Sequence, residues 1–330
     1  MPTVEVLRAG ALTTVQDQGR PGWGRFGVSP SGAVDPLALR VANILVGNEE
    51  TAAALEIAGP GVVLKIYGQA LLCIVGADLG ATLSGQPVAP GQRVLASDRQ
   101  ILAFTNRRQG FRAIVAFAGG LSAPGLFGSR ATDIAAGLPR GRLEKGAMLE
   151  VFAPAPGSGP VRPPVLGDGS AAVIEALFEG LSSAPSGAGA RAPLVVRFVP
   201  EDGGPVLMGR TFTVSHRSNR TGFRLHAEGE ALPPRPPLAW SNPVAPGAIQ
   251  LPPDGTPIVL LADRQTVGGY PVLGHLAAVD RTVLAGAAPG DRLRFEAISA
   301  EAAREQAAER HAMLTLLSES VVRRSWRSWA

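Results

Sequence analysis

The sequence predicts a mainly β protein with a few helices, organised as two β-rich domains. Three observations carry that reading. Short apolar runs follow one another twice: VVLKIYG, ALLCIVGA, RVLAS, ILAF and FRAIVAFAGG over residues 62–120, then LVVRFVP, TFTVS, PIVLLAD and DRLRFEAIS over 194–299. Runs of strand length separated by turn residues at short spacing are the pattern of sandwiches and barrels. The chain carries 41 glycines and 29 prolines, so most connections are turns rather than crossover helices. Between about 154 and 192 the composition shifts to PAPGSGPVRPP and SSAPSGAGARAP, which is that of a linker or loop. The expected organisation is therefore an N-terminal β-rich domain over 1–155, a linker or loop with a short helix over 156–192, a second β-rich domain over 193–298 and a helical tail over 299–330.

Few segments read as helix. The clearest spans about Pro36 to Val46, where Asp35 is placed to cap, Pro36 fits the first helical position, and Leu37, Val41, Ile44 and Leu45 share one face. Gly47 fits the left-handed residue that ends it. A second helix is expected at about Ala172–Phe178. A third is expected over roughly Ala300–Ser318, where EAAREQAAERHAMLTLL is rich in helix formers.

Composition excludes several classes. The net charge is only +4, the arginines are scattered, and aromatic residues are 5 % of the chain, which argues against a nucleic-acid surface. The single cysteine, Cys73, sits in an apolar run and reads as a buried small side chain; with one thiol no intrachain disulfide forms, which fits a reducing compartment. The start MPTVEVLRAG lacks a charged lead and an apolar core, so no signal peptide is expected. No apolar run reaches the ~18 residues of a membrane span. The expectation is a cytoplasmic protein with neither nucleic-acid nor membrane partner. The four histidines, at 216, 226, 275 and 311, have no metal-ligand spacing, and no G-x-S-x-G elbow is present.

Gly22, Gly24 and Gly27 imitate the G-x-G-x-x-G of a dinucleotide loop. Such a loop needs a helix starting at the glycines, whereas the predicted helix begins well beyond Gly27. What the stretch does offer is polar groups in an open loop: Gln16, Asp17, Arg20, Arg25, Ser29, Ser31 and Asp35. The plainer reading is a surface loop with Asp35 as a helix cap. Asn43, Asn48 and Glu56 follow; Asn43 could anchor a neighbouring loop and Asn48 could finish the helix. A second dense region, 241–271, has a strand, PIVLLAD, delivering Asp263, Arg264, Gln265 and Thr266, followed by Gly268, Gly269 and Tyr270. An Asp–Arg pair closing a turn is the alternative there. Between the two lies HRSNRTGFRL, whose Arg220 and Arg224 could bind a carboxylate bidentately or be exposed strand residues.

Longer motifs carry a family resemblance. TTVQDQGRPGWGRFGVSPSGAVDPLALRVANILVGN, GSRATDIAAGL, SNRTGFRL, PGAIQLPPDGTPIVLLADRQTVGGYP and PGDRLRFEAIS occur in order over about residues 3–298. Together they resemble the carboxyltransferase family of allophanate hydrolase subunit 2-like proteins, which includes the C-subunit of bacterial 5-oxoprolinase and the carboxyltransferase part of urea amidolyase. Val34 stands where the family often has Met, the turn LPRGR is short, and the tail lies outside the match.

The resemblance implies that the second domain is a cyclophilin-like β-barrel. It implies an enzyme subunit in a hetero-oligomer with an allophanate hydrolase subunit 1-like sister and, in 5-oxoprolinase, a third subunit. The reaction would be ATP-dependent opening of 5-oxoproline to glutamate, an amide C–N hydrolysis. The alternatives are a biotin-dependent carboxyltransferase of the urea carboxylase type, or a non-catalytic module that binds a kinase-inhibitor-like sister protein. No methionine-lysine-methionine biotin site and no ATP-grasp or amidase segment is present, so no cofactor is expected to be bound covalently. ATP would be used by the complex, and any carboxybiotin would come from another chain. Asp17 and Asp263 are the candidate catalytic general bases. Gln16, Arg20, Ser31, Asp35, Asn48, Arg220, Gln250, Gln265 and Tyr270 are the candidate substrate-binding residues, because amide and hydroxyl side chains pair with both the carbonyl and the N–H of a lactam or ureido group.

Overall fold

A computed structural model describes residues 1–153 and 192–327. The expected linker and the helix at Ala172–Phe178 lie almost entirely outside the described residues.

The N-terminal domain is a layered β structure. Its seven-stranded sheet runs, in spatial order, Leu121–Ser122, Met148–Val151, Thr3–Ala9, Val62–Tyr67, Ile101–Phe104, Ala81–Leu83 and Gln86–Pro87. The five-stranded sheet runs Leu12–Gln16, Ala54–Ala58, Gln109–Phe117, Ala70–Asp78 and Arg93–Ala96. Period-two alternation explains how the sheets pack. In Val62–Tyr67, Val62, Leu64 and Ile66 are buried while their neighbours are partly exposed. Those side chains meet Leu55, Ile57, Leu72, Ile74, Val115 and Phe117 of the five-stranded sheet in one core.

The five-stranded sheet is buried on both faces, which is why ALLCIVGA is apolar without alternation. Leu72 and Ile74 face the other sheet, whereas Cys73 and Val75 face the helix Pro36–Leu45. Burial pushes the Cys73 thiol up to about 12, so it is an inert packing group. The helix is as expected at its start: Asp35 accepts from Ala38 N at 3.0 Å, and Pro36 occupies the first turn. Outside it lies a C-terminal helix, Ala300–Arg327, longer than the Ala300–Ser318 expected. Leu314, Leu317 and Val321 join the core of the first helix, and Val321 carries the packing past the serines.

The second domain is a closed barrel of seven strands. Around it run Leu194–Pro200, Val272–Leu276, Ala248–Gln250, Ile258–Leu260, Gly222–Ala227, Thr211–Val214 and Arg292–Ala297. The first and last strands close it in parallel, Leu194 opposite Leu293. Phe295 stands edge-on to Phe198 and Phe212, with centroids 5.5 and 5.6 Å apart. Val34, from the N-terminal domain, packs into the barrel's core, so the two domains share apolar contact at that loop.

Candidate functional site

The loop containing Val34 brings both domains' charged side chains together. Arg220 precedes the strand Gly222–Ala227 and is buried. Its Nε and Nη2 donate to Asp263 Oδ2 and Oδ1 at 2.9 and 3.0 Å. Nη1 donates to Glu56 Oε1, and Nη2 also donates to Gly32 O at 2.5 Å. Glu56 Oε2 in turn accepts from Val34 N at 2.7 Å. Burial alone would push the Arg220 guanidinium down, but Glu56 and Asp263 outweigh it and hold it above its ordinary value. A buried cation answered by two carboxylates and a carbonyl is a brace whose members depend on one another. Arg112 lies in the same field: burial pushes it down to about 10, against Glu56. Its Nη1 donates to Ala285 O at 3.1 Å, another tie between the domains.

A second knot surrounds Ser129–Ile134. Asp17 accepts from Ser129 Oγ and Arg130 N, both at 2.6 Å, and from Gly19 N at 2.7 Å. Arg20 Nη2 donates to Ala131 O. Gln16 Nε2 donates to Thr132 O at 3.0 Å. Ile134 N donates to Asp263 Oδ2 at 3.4 Å, which links this knot to the Arg220 brace. Ser31 sits nearby at φ 53°, its Oγ buried without a hydrogen-bond partner among the described residues.

Asp35 and Asn48 have structural employment. Asp35 caps the helix and accepts from Thr282 Oγ1 at 2.9 Å; burial pushes its carboxyl up. Asn48 donates to Phe117 O at 2.8 Å and accepts from Gly119 N at 2.7 Å, fastening the helix end to the sheet.

The other region is a cavity of about 810 Å³ on the outer wall of the barrel. The segment from Arg235 to Ala239 forms one side, and Val244, Ala248 and Val272 form the apolar base. Tyr270, Asn242 and His275 supply polar groups. The strand Ala248–Gln250 explains the base: Ile249 points into the barrel core, so Ala248 and Gln250 point outward. Gln250 is covered by the short ribbon pairing Asn242 with Gly268. Its Oε1 accepts from Gln265 Nε2 at 3.0 Å, leaving Nε2 without a partner among the described residues.

The structure thus separates the residues that the sequence nominated. Gln16, Asp17, Arg20, Ser31, Asp35, Arg220 and Asp263 gather at the domain junction; Tyr270 lines the barrel cavity, and Gln250 and Gln265 lie beside it without lining it. Asn48 is at neither. The strand carrying PIVLLAD ends at Leu260, so Asp263 lies in the turn beyond it. Asp263 pairs with Arg220 and not with its neighbour Arg264, which donates to Val244 O at 3.1 Å. Arg224 is an exposed strand residue. Gly24–Phe26 forms a 3-10 turn, not the start of an α-helix, so the glycine spacing has no dinucleotide-loop geometry. Sequence reasoning missed His275, Arg112 and the weight of Glu56. His275 lies on a strand as a half-exposed residue, and its partner Glu201 is distant in sequence, so no local spacing marks the pair.

Among the described residues no cluster of potential metal ligands occurs, and no helix is long and apolar enough to cross a membrane.

Comparison with known proteins gives this geometry a family. Residues 26–297 match the family described as "Carboxyltransferase domain, subdomain A and B". The chain belongs to this carboxyltransferase family. Its relatives include the 5-oxoprolinase C-subunit of Haemophilus influenzae, 30 % identical over 91 % of this chain and 93 % of that protein. The 5-oxoprolinase C-subunit of Escherichia coli is 32 % identical over the same shares. Among solved structures, TTHA0988 superimposes with a TM-score of 0.74 at 30 % identity, over 90 % of this chain and 56 % of that one. The Kluyveromyces lactis urea amidolyase shares the fold, with a TM-score of 0.78 at 24 % identity over 96 % of this chain and 20 % of that one.

Proposed function

We propose that this carboxyltransferase-family chain is a subunit of an ATP-dependent 5-oxoprolinase that opens 5-oxoproline to glutamate. The observation that supports it is end-to-end similarity. The chain spans 93 % of each of the two 5-oxoprolinase C-subunits but 18 % of the Lachancea kluyveri urea amidolyase. A sequence of this extent corresponds to nearly all of the first and to one segment of the second. On this reading an allophanate hydrolase subunit 1-like sister and a third subunit make up the rest of the enzyme, and the ATP site belongs to the complex.

Within that assembly, Tyr270 on the cavity wall faces the ligand, and Gln265 holds Gln250 behind that wall. Gln16, Asp17, Arg20, Ser31, Asp35, Arg220 and Asp263 set the junction that holds the barrel against the first domain. The oxygens of Asp17 and Asp263 are already occupied by donors, so each serves in the resting chain to position its neighbours. Asp263→Asn keeps the shape and removes the charge opposite Arg220. The test is co-purification of the chain with its sister subunits, followed by an assay for glutamate formed from 5-oxoproline with and without ATP. Turnover that requires this chain is expected. Association with every subunit present and no turnover would replace this reading with the regulatory one.

A further inference from the structure

Beside the domain junction, three aromatic rings face solvent. Trp23, Phe26 and Phe127 are 36, 61 and 40 % exposed. They form one ledge, with the Trp23 ring centroid 4.6 Å from that of Phe127 and 5.8 Å from that of Phe26. Ile134 and Leu138, a few residues beyond Phe127, are exposed as well. The barrel borders the same loop: a Cβ at Gly24 would meet Thr266 Cγ2 at 3.9 Å, and the next residue, Val267, is exposed. Apolar side chains scattered singly over a surface need no explanation, whereas grouped ones mark a site of interaction.

The backbone is strained to hold Phe127 on this ledge. Leu126 N donates to Ser129 O at 2.8 Å and Ser129 N to Leu126 O at 3.1 Å, closing a tight turn. Its central residues, Phe127 and Gly128, have φ 53° and 79°. Positive φ at both central positions favours Asn-Gly, and a bulky aromatic at the first of them is an outlier. Burial does not offset that strain, because the ring stays exposed. Strain retained without a packing gain points to function.

Charge says what the ledge fits. The loops over 19–31 and 124–142 carry Arg25, Arg130, Arg140 and Arg142. Their single acidic residue, Asp133, is buried and accepts from Ala136 N at 3.0 Å. Glu144, just beyond, lies 3.7 Å from Arg142. Arg25, Arg130 and Arg140 have no carboxylate partner among the described residues. The Arg25 guanidinium lies 4.7 Å from the centroid of the Phe26 ring. Tryptophan and arginine are over-represented among the residues that carry binding energy between proteins. A second copy docking through the same face would set cation against cation. Nucleic acid would find aliphatic Ile134, Leu138 and Val267 where further stacking groups are needed. The occupant that fits is a protein surface that is apolar at its centre and acidic around it. In TTHA0988 the matching fold takes up 56 % of the chain, so there it stands beside further protein.

We propose that this ledge docks the allophanate hydrolase subunit 1-like sister, with Trp23 and Phe127 as anchors and Arg25 meeting a carboxylate of the sister. The choice of the sister rests on the 5-oxoprolinase reading; the chemistry required of the partner does not.

The experiment is calorimetric titration of the full chain with the purified sister subunit, at low and at high salt. Trp23→Ala and Arg25→Glu should each weaken association at least about tenfold, the scale of a binding hot spot. The Arg25→Glu loss should shrink at high salt. Phe127→Asn is the sharpest variant, because it gives the turn its favoured Asn-Gly pair. Its unfolding midpoint should match or exceed that of the wild type while association weakens at least about tenfold. Unchanged association in Phe127→Asn and Arg25→Glu would overturn the proposal, as would no association of the wild-type chain with the sister. Loss of stability and association together in Phe127→Asn would make Phe127 a structural residue and also overturn it. Self-association of the chain, or binding of single-stranded DNA, that Phe127→Asn abolishes would assign the ledge to another occupant. Weakened docking in the variants, with no glutamate formed by the wild-type complex, removes the 5-oxoprolinase assignment and leaves the ledge. Full glutamate formation with unchanged docking removes the ledge and leaves the assignment.

Discussion

The domain junction and the barrel cavity use polar groups in opposite ways. At the junction Arg220, Glu56 and Asp263 are 2, 3 and 1 % exposed in their side chains, and every charge is answered from inside the protein. At the cavity, Tyr270 is 39 % exposed, His275 and Glu201 are 39 and 51 % exposed in their side chains, and Gln250 holds an unanswered donor under a thin wall. Concentrated, paired charge therefore marks where this molecule is held together, and sparse, exposed polarity lines the cavity. Among the described residues, buried polar atoms without a partner occur at both, Ser31 Oγ and Arg20 Nε at the junction and Gln250 Nε2 behind the cavity wall.

Substitutions can break that contrast. The largest effect is expected for Arg220→Met, which strands two buried carboxylates. Breaking such a pair costs about 3–5 kcal/mol, read as a lower urea midpoint; a loss under about 1 kcal/mol would mean that the junction is not a brace. Next comes Gly32→Ala. Gly32 has φ +90°, and a Cβ would lie 2.9 Å from the backbone of Gln18, so a cost of about 1–3 kcal/mol is expected. Gly22→Ala shares the left-handed φ, +91°, but meets nothing within 4 Å. It should cost only the conformational strain, roughly 1 kcal/mol. Equal costs would show that loop packing does not matter.

Asp35→Asn sharpens the comparison through pH. Burial raises the Asp35 pKa above 3.8, so the fold prefers its neutral form. The stabilisation from that preference is complete below the unfolded value and is lost as pH rises through the folded one. Asn caps a helix as well as Asp. The variant should therefore be more stable than the wild type at neutral pH, with the advantage shrinking as pH falls towards 3.8. The smallest stability effect is expected at the cavity, where Tyr270 is 39 % exposed: Tyr270→Ala should shift unfolding by no more than about 0.5 kcal/mol.

How much of this was legible in the sequence follows from the range of each interaction. The first helix was readable because cap, proline and apolar face are all local. The doubly buried strand ALLCIVGA was readable as strand but not as the centre of the layers, since its two faces are covered by segments far apart in the chain. The junction residues were recognisable as a set of motifs. Their partners were not, because Arg220 meets Asp263 across 43 residues and Glu56 across 164. Asp263 and Asp17 looked like free carboxylates only until the residues that occupy them were placed. The cavity's His275–Glu201 pair left no trace in spacing, because strand pairing alone creates it.

The most direct test of this division of labour is an amide NMR footprint of the isotopically labelled full chain, titrated with 5-oxoproline and with biotinamide. Shifts concentrated at Leu238, Gly268, Tyr270 and His275 are predicted, with Arg20, Gly32 and Ile134 unmoved. A footprint centred on Arg20, Gly32 and Ile134, with the barrel wall silent, would contradict that division.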